Sequence, residues 1–164
     1  MVTGIKGIEL IKEFESLHDG DLKMIGLQPK MCPASIWTEG YGRAMRDKNG
    51  EFLRGKDNRV LAYKSITIHT EAEAYKALIE DLKIYENIVM QKIKIPITQN
   101  NFDALVSYVY NTGGSDTLYK LINQKAKATD IRRWFQEHYI MGGGVILPGL
   151  VRRRKAEANL FFTS

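Results

Sequence analysis

The chain has 164 residues, 44% hydrophobic and 26% charged, which suits one domain with a buried core and excludes a disordered or fibrous chain. Its 24 Lys and Arg against 19 acids leave a charge of +5, a mild excess that favours an anionic partner (nucleic acid, membrane surface or acidic polysaccharide) without choosing among them. The one cysteine, Cys32, excludes an intramolecular disulfide and a cysteine-based zinc site, and no apolar run reaches the roughly 20 residues that span a bilayer.

From Gly7 to Leu17, Ile8, Ile11 and Phe14 recur at helical spacing, with Glu15 in the last turn. The partial negative charge of a helix C-terminus disfavours a carboxylate there, which suits a general acid. Residues 18–35, broken by Gly20, Gly26, Pro29 and Pro33, read as a loop with short extended pieces. Ile36–Met45 and Glu51–Leu61 read as strands of a ragged hairpin turned at Asn49-Gly50, because both turn residues tolerate positive φ. No other β-rich region is expected.

Helices follow. Thr70-Glu71-Ala72-Glu73 is a capping box, and Tyr75, Leu78, Leu82, Tyr85 and Val89 carry a helical stripe towards residue 91. Pro96 breaks the chain, Thr98 caps a helix bearing Phe102, Leu105, Val106 and Val109, and Gly113-Gly114 stops it. Shorter helices are expected near 115–124 and 129–139, then a flexible break at Gly142-Gly143-Gly144 and a last helix from Pro148 through Phe162. The expected class is α+β, mainly α: a small β-containing lobe (15–65), a long helix, and an all-α lobe (1–14 and 70–164), within one domain over 1–164. A ligand cleft between the lobes is the natural expectation.

Four blocks carry a resemblance: Phe14-Glu15-Ser16; the run from Cys32 through Ile36-Trp37-Thr38-Glu39-Gly40-Tyr41-Gly42; Thr98 to Ser107 with Asn111-Thr112-Gly113; and Leu147-Pro148-Gly149-Leu150-Val151-Arg152-Arg153-Arg154-Lys155-Ala156-Glu157. In this order they resemble the phage-type lysozymes, the endolysins grouped as one glycoside hydrolase family. The resemblance implies a peptidoglycan substrate cut between N-acetylmuramic acid and N-acetylglucosamine, a Glu general acid at Glu15 and a Thr at Thr38. It also implies an Asp six residues before that Thr, where this chain has Cys32, and glycan contacts from Tyr110, Asn111 and Thr117. Two departures stand out: an insertion within His18–Gln28, and Arg43 where many relatives place His or Asn.

Glycoside hydrolysis needs an acid on the leaving oxygen and, when it inverts, a group orienting water on the opposite face. A thiol is a weak base at neutral pH yet, as thiolate, a good nucleophile. Cys32 therefore reads as a water-orienting thiol, a nucleophile or a spectator, and Asp19 and Asp21 in the inserted loop are the alternative acids. Arg152 to Lys155 read as a solvated helix face with ion pairs, and Trp37 and Trp134 as core. His18, His69 and His138 lack metal spacing, so neither metal nor cofactor is expected.

The leading expectation is a muramidase acting on bacterial peptidoglycan as a monomer, without nucleic acid and without stable membrane association. With no signal peptide read at Met1–Lys6, it would wait in the host cytoplasm for a separate holin, as the resemblance suggests. The alternative is a catalytically impaired module that binds glycan on the same fold.

Overall fold

The computed structural model describes residues 1–164. In chain order it contains α1 (Ile5–Glu15), β1 (Lys30–Met31), β2 (Trp37–Glu39), β3 (Arg43–Ala44), a 3₁₀ turn (Lys56–Asn58), α2 (Arg59–Ser65), α3 (Glu71–Lys92), α4 (Gln99–Thr112), α5 (Asp116–Asn123), α6 (Ala128–Glu137), β4 (Met141–Gly142), β5 (Val145–Ile146) and α7 (Pro148–Phe161). The class is α+β and mainly α. The chain divides into two compact units, Glu15–Asp81 and Met1–Phe14 with Leu82–Ser164.

In the first unit, β1, β2 and β3 form an antiparallel sheet with β2 central. Its register pairs Lys30 with Thr38 and Met31 with Trp37, then Thr38 with Ala44 and Glu39 with Arg43. Trp37, Met45, Leu53 and Ala62 make the small core beneath it, with Met31 and Tyr63 against them. The Trp37 indole donates to the Gly55 carbonyl at 2.8 Å, giving its buried N–H a partner. Glu39 is buried and accepts from Thr67 N, Thr67 Oγ1 and Ile68 N at 2.7–3.1 Å, which ties the sheet to the segment entering α3.

The expected hairpin is only half formed. Its turn is there, with Gly50 at φ 83, but beyond it the ladder shrinks to single bridges, Arg46 with Phe52 and Ile36 with Arg54. Residues 56–65 are helical, not extended, which corrects the strand expected to run to Leu61.

In the second unit, Phe102 to Val109 of α4 are all buried, and α7 packs along this helix. Thr98 caps α4 through a reciprocal pair with Asn101, and Gly113 closes it at φ 80. Asp103 reaches from α4 to the start of α1, accepting from Gly4 N at 2.8 Å and Gly7 N at 3.2 Å, so that a carboxylate satisfies two orphan donors there.

Two further expectations change here. The triple glycine is a hairpin turn, not a flexible break: β4 pairs β5, and Gly143 and Gly144 both take positive φ, as a two-residue turn of the primed type demands. Arg153 and Arg154 are 3% and 0% exposed, not part of a solvated face. Arg153 Nε lies 3.1 Å and Arg154 Nε 2.9 Å from the carboxylate of Glu157, which also accepts from Ser107 Oγ at 2.8 Å. Burial pushes the Glu157 carboxyl up, while Arg154, Arg153 and Ser107 pull it down. Only Arg152 and Lys155 of the basic run face solvent. No helix is long and apolar enough to cross a membrane.

Candidate active site

Glu15 is the last residue of α1. Ser16 follows at φ 59, a left-handed conformation that ends the helix and turns the chain away. Three backbone bonds then control the inserted segment: His18 N to Gly40 O at 2.8 Å, Gly20 N to Gln28 O at 3.1 Å, and Leu27 N to His69 O at 2.8 Å. The insertion is thus a loop pinned at its stem, and its length does not carry Glu15 away from the sheet. Gly20 is required at that stem, since a Cβ there would lie 2.1 Å from Pro29 O.

Cys32 occupies the tip of the β1–β2 connection. Its N–H donates to Ile36 O at 2.8 Å and its carbonyl accepts from Ser35 N at 2.9 Å. Pro33 takes the second position of this turn, and Ser35 is at φ 60, a tight turn followed by one left-handed residue. Thr38, in the middle of the central strand, is 5% exposed. Its hydroxyl donates to Lys30 O at 2.8 Å and lies 2.7 Å from His18 Nδ1.

These residues line one pocket of about 520 Å³, whose wall includes Glu15, His18, Lys30, Cys32, Ile36 and Thr38. Glu15, Cys32 and Thr38 are therefore brought together on the lining of one cavity of a size that takes a small ligand. His18, set aside in the sequence for want of metal spacing, lines the same cavity. Burial lowers its proton affinity below the usual histidine range; Glu15 opposes this, Lys30 reinforces it, and a hydrogen bond to the Glu15 backbone opposes it. The only local sign of His18 was its place just past a helix ending in Glu15. Its partner Thr38 lies twenty positions on.

Asp19 and Asp21 are not on this wall. Asp19 accepts from Asp21 N at 3.2 Å and Asp21 from Lys23 N at 3.0 Å, so both organise the inserted loop. Arg43 holds Asp81 with two bonds, from Nε and Nη2 at 2.9 Å, and donates to Ala77 O at 2.8 Å. Asp81 is the main reason its guanidinium is held more firmly protonated than usual.

The three glycan contacts expected by resemblance lie in the helical unit. Tyr110 is half-buried and packs edge-on against Tyr85, centroids 4.9 Å apart. Asn111 accepts from Arg154 Nη2 at 2.9 Å. Thr117 is exposed and lines a pocket with Ser115, Asp116, Trp134, His138 and Tyr139. Trp134 departs from the core expectation: it is half-buried on that wall and stacks on His138 at 3.6 Å and 10°.

The chain is similar to known proteins over most of its length. The phage lysozyme family model matches residues 22–157. The chain is 30% identical over 163 residues to the endolysin of Acyrthosiphon pisum secondary endosymbiont phage 1, covering 95% of this chain and 94% of that protein. Among solved structures it is similar to the endolysin from Escherichia coli O157:H7 phage FAHEc1, with TM-score 0.73, 28% identity, and 99% and 94% of the two chains covered. It is also similar to the muramidase domain of SpmX from Asticaccaulis excentricus, with TM-score 0.69, 26% identity, and 99% and 98% covered. With more than half of its length matched by the family model, the chain belongs to the phage lysozyme family and is a lysozyme-type enzyme.

Proposed function

We propose that the protein is a peptidoglycan hydrolase, a muramidase that cleaves the β-1,4 bond between N-acetylmuramic acid and N-acetylglucosamine. Glu15 is the general acid, and Thr38 and Cys32 stand on the water side. The observation that carries this reading is the shared pocket: Glu15, Cys32 and Thr38 line one cavity, in a member of the phage lysozyme family. Glu15 gives its proton to the leaving glycosidic oxygen as the bond to the anomeric carbon breaks. Water adds to that carbon, held by the Thr38 hydroxyl with the Cys32 thiol beside it; the proton it sheds passes to solvent, from which the Glu15 carboxylate is reprotonated for the next cycle. Tyr110, Asn111 and Thr117 bind the glycan, Tyr110 through its ring face and the other two through polar groups.

The enzyme works as a monomer and needs neither metal nor cofactor. It accumulates in the host cytoplasm until a holin opens the membrane, and its charge of +5 then draws it to the anionic wall, an attraction that salt weakens.

The test is digestion of purified cell walls followed by borohydride reduction of the new ends. Reduced muramic acid supports the reading. Reduced glucosamine moves the cut to the other glycosidic bond, and binding without any new ends makes the protein a glycan-binding module.

A further inference from the structure

We propose that His18 is a positioning residue, whose Nδ1–H fixes the Thr38 hydroxyl so that Thr38 meets the attacking water only as an acceptor. This rests on the muramidase reading and deepens it.

A threonine hydroxyl has one hydrogen and two lone pairs. The Lys30 carbonyl can only accept, so its 2.8 Å contact takes the single hydrogen of Thr38. Nothing is left to donate to His18. The 2.7 Å contact with Nδ1 is then a hydrogen bond only with a proton on Nδ1, which assigns the neutral ring the Nδ1–H tautomer, with the Glu15 backbone carbonyl the competing acceptor for a ring N–H. Two of the three bonding positions of Thr38 Oγ1 are then spoken for, and the third is a lone pair on a residue of the pocket wall. A water bound there points one of its hydrogens at Thr38 and turns its own lone pairs elsewhere, which is the sense needed for attack on a carbon. At the position where the resemblance implies an aspartate this chain has the thiol of Cys32, a weaker acceptor, so the orientation falls to Thr38 and what holds it.

His18 is itself well fixed. Its backbone N–H is tied to Gly40 O at 2.8 Å, and the titratable and polar groups acting on the ring are Glu15 from α1, through its charge and its backbone carbonyl, Lys30 from β1 and Thr38 from β2. The imidazole thus interacts with both the acid's residue and the water holder. The sequence alone offered no reason to connect them.

The experiment compares His18→Phe and His18→Asn, each also in a Thr38→Val background, by initial rates of reducing-end release across wall concentrations. Asparagine offers a side-chain N–H near the place of Nδ1 but cannot take up a proton. His18→Phe is expected to lower kcat by about 10- to 100-fold with KM nearly unchanged. His18→Asn should recover most of that loss, and neither change should cost more once Thr38 is valine. Nitrogen-15 NMR should find the Nδ1–H tautomer of His18 in the parent and its loss in Thr38→Val.

Full activity in His18→Phe overturns the proposal. So does an Asn variant as impaired as Phe, which would make histidine itself the proton acceptor, or an Nε2–H tautomer in the parent. If the parent protein releases no reducing ends, the muramidase reading fails instead, and the tautomer still decides the His18–Thr38 contact.

Discussion

The Lys30 carbonyl accepts the only hydrogen that the Thr38 hydroxyl can give, at 2.8 Å, across the register pair that joins β1 to β2. One side chain thus serves the sheet and the pocket. Thr38→Ser should keep both roles. Thr38→Val leaves the Lys30 carbonyl and the half-buried His18 ring without their partner and should cost about 1 kcal/mol of stability as well as activity. Urea midpoints and reducing-end rates measured on both variants check this: valine must lose on both scales and serine on neither.

Cys32 and the loop acids make opposite demands on mutants. With Asp19 and Asp21 occupied by loop amides and off the pocket wall, Asp19→Asn with Asp21→Asn should leave turnover within about twofold, in the range of ordinary surface changes. Cys32→Ala should lower kcat, and Cys32→Asp should match or exceed the parent by supplying a carboxylate on the water side. An alanine variant with full activity would remove Cys32 from the reaction.

The buried Arg153, Arg154 and Glu157 cluster should dominate stability. Glu157→Gln leaves two buried guanidinium groups without their counter-charge and is expected to cost about 3–5 kcal/mol. Arg152→Gln, on the exposed side of the same helix, should stay within about 0.5 kcal/mol. Chemical denaturation of the two variants side by side gives the comparison.

Ser16 holds a left-handed backbone directly after Glu15. Ser16→Gly removes a Cβ from that conformation and should stabilise the protein by up to about 1 kcal/mol, whereas Ser16→Val should destabilise it. Thermal midpoints of the pair read the sign.

The proton linkage of His18 has a definite sign. Burial lowers its affinity in the folded chain from the ordinary 6.5, so below that pH the unfolded chain binds more protons. Its contribution is complete above about pH 6.5 and is lost as pH falls towards the folded value. Unfolding free energies from pH 7.5 down to 5 should therefore decline more steeply in the parent than in His18→Asn.

What could be read from the sequence was what local chemistry determines. The Thr98–Asn101 cap, the Gly113 stop and the Thr70–Glu73 box each act within one turn, and α4 and α3 begin or end beside them. The residues from Lys56 to Ser65 were missed because a turn as strong as Asn49-Gly50 suggests a partner strand, while the chain beyond Arg54 finds no ladder to join and coils instead. Arg153 and Arg154 looked solvated because the groups that bury them, Ser107 and Asn111, lie more than forty positions away. The pairing of His18 with Thr38 was hidden for the same reason: the insertion separates them along the chain, and only the bonds at its stem bring them together.

The most direct measurement is reducing-end release from purified cell walls by the parent and by Glu15→Gln, both shown to be folded and to bind the walls. With Glu15 as the proton donor, the parent releases ends steadily and glutamine, which fills the same space but has no proton to give, lowers release by at least about 100-fold. Glutamine turnover within a few-fold of the parent would rule out Glu15 as the general acid.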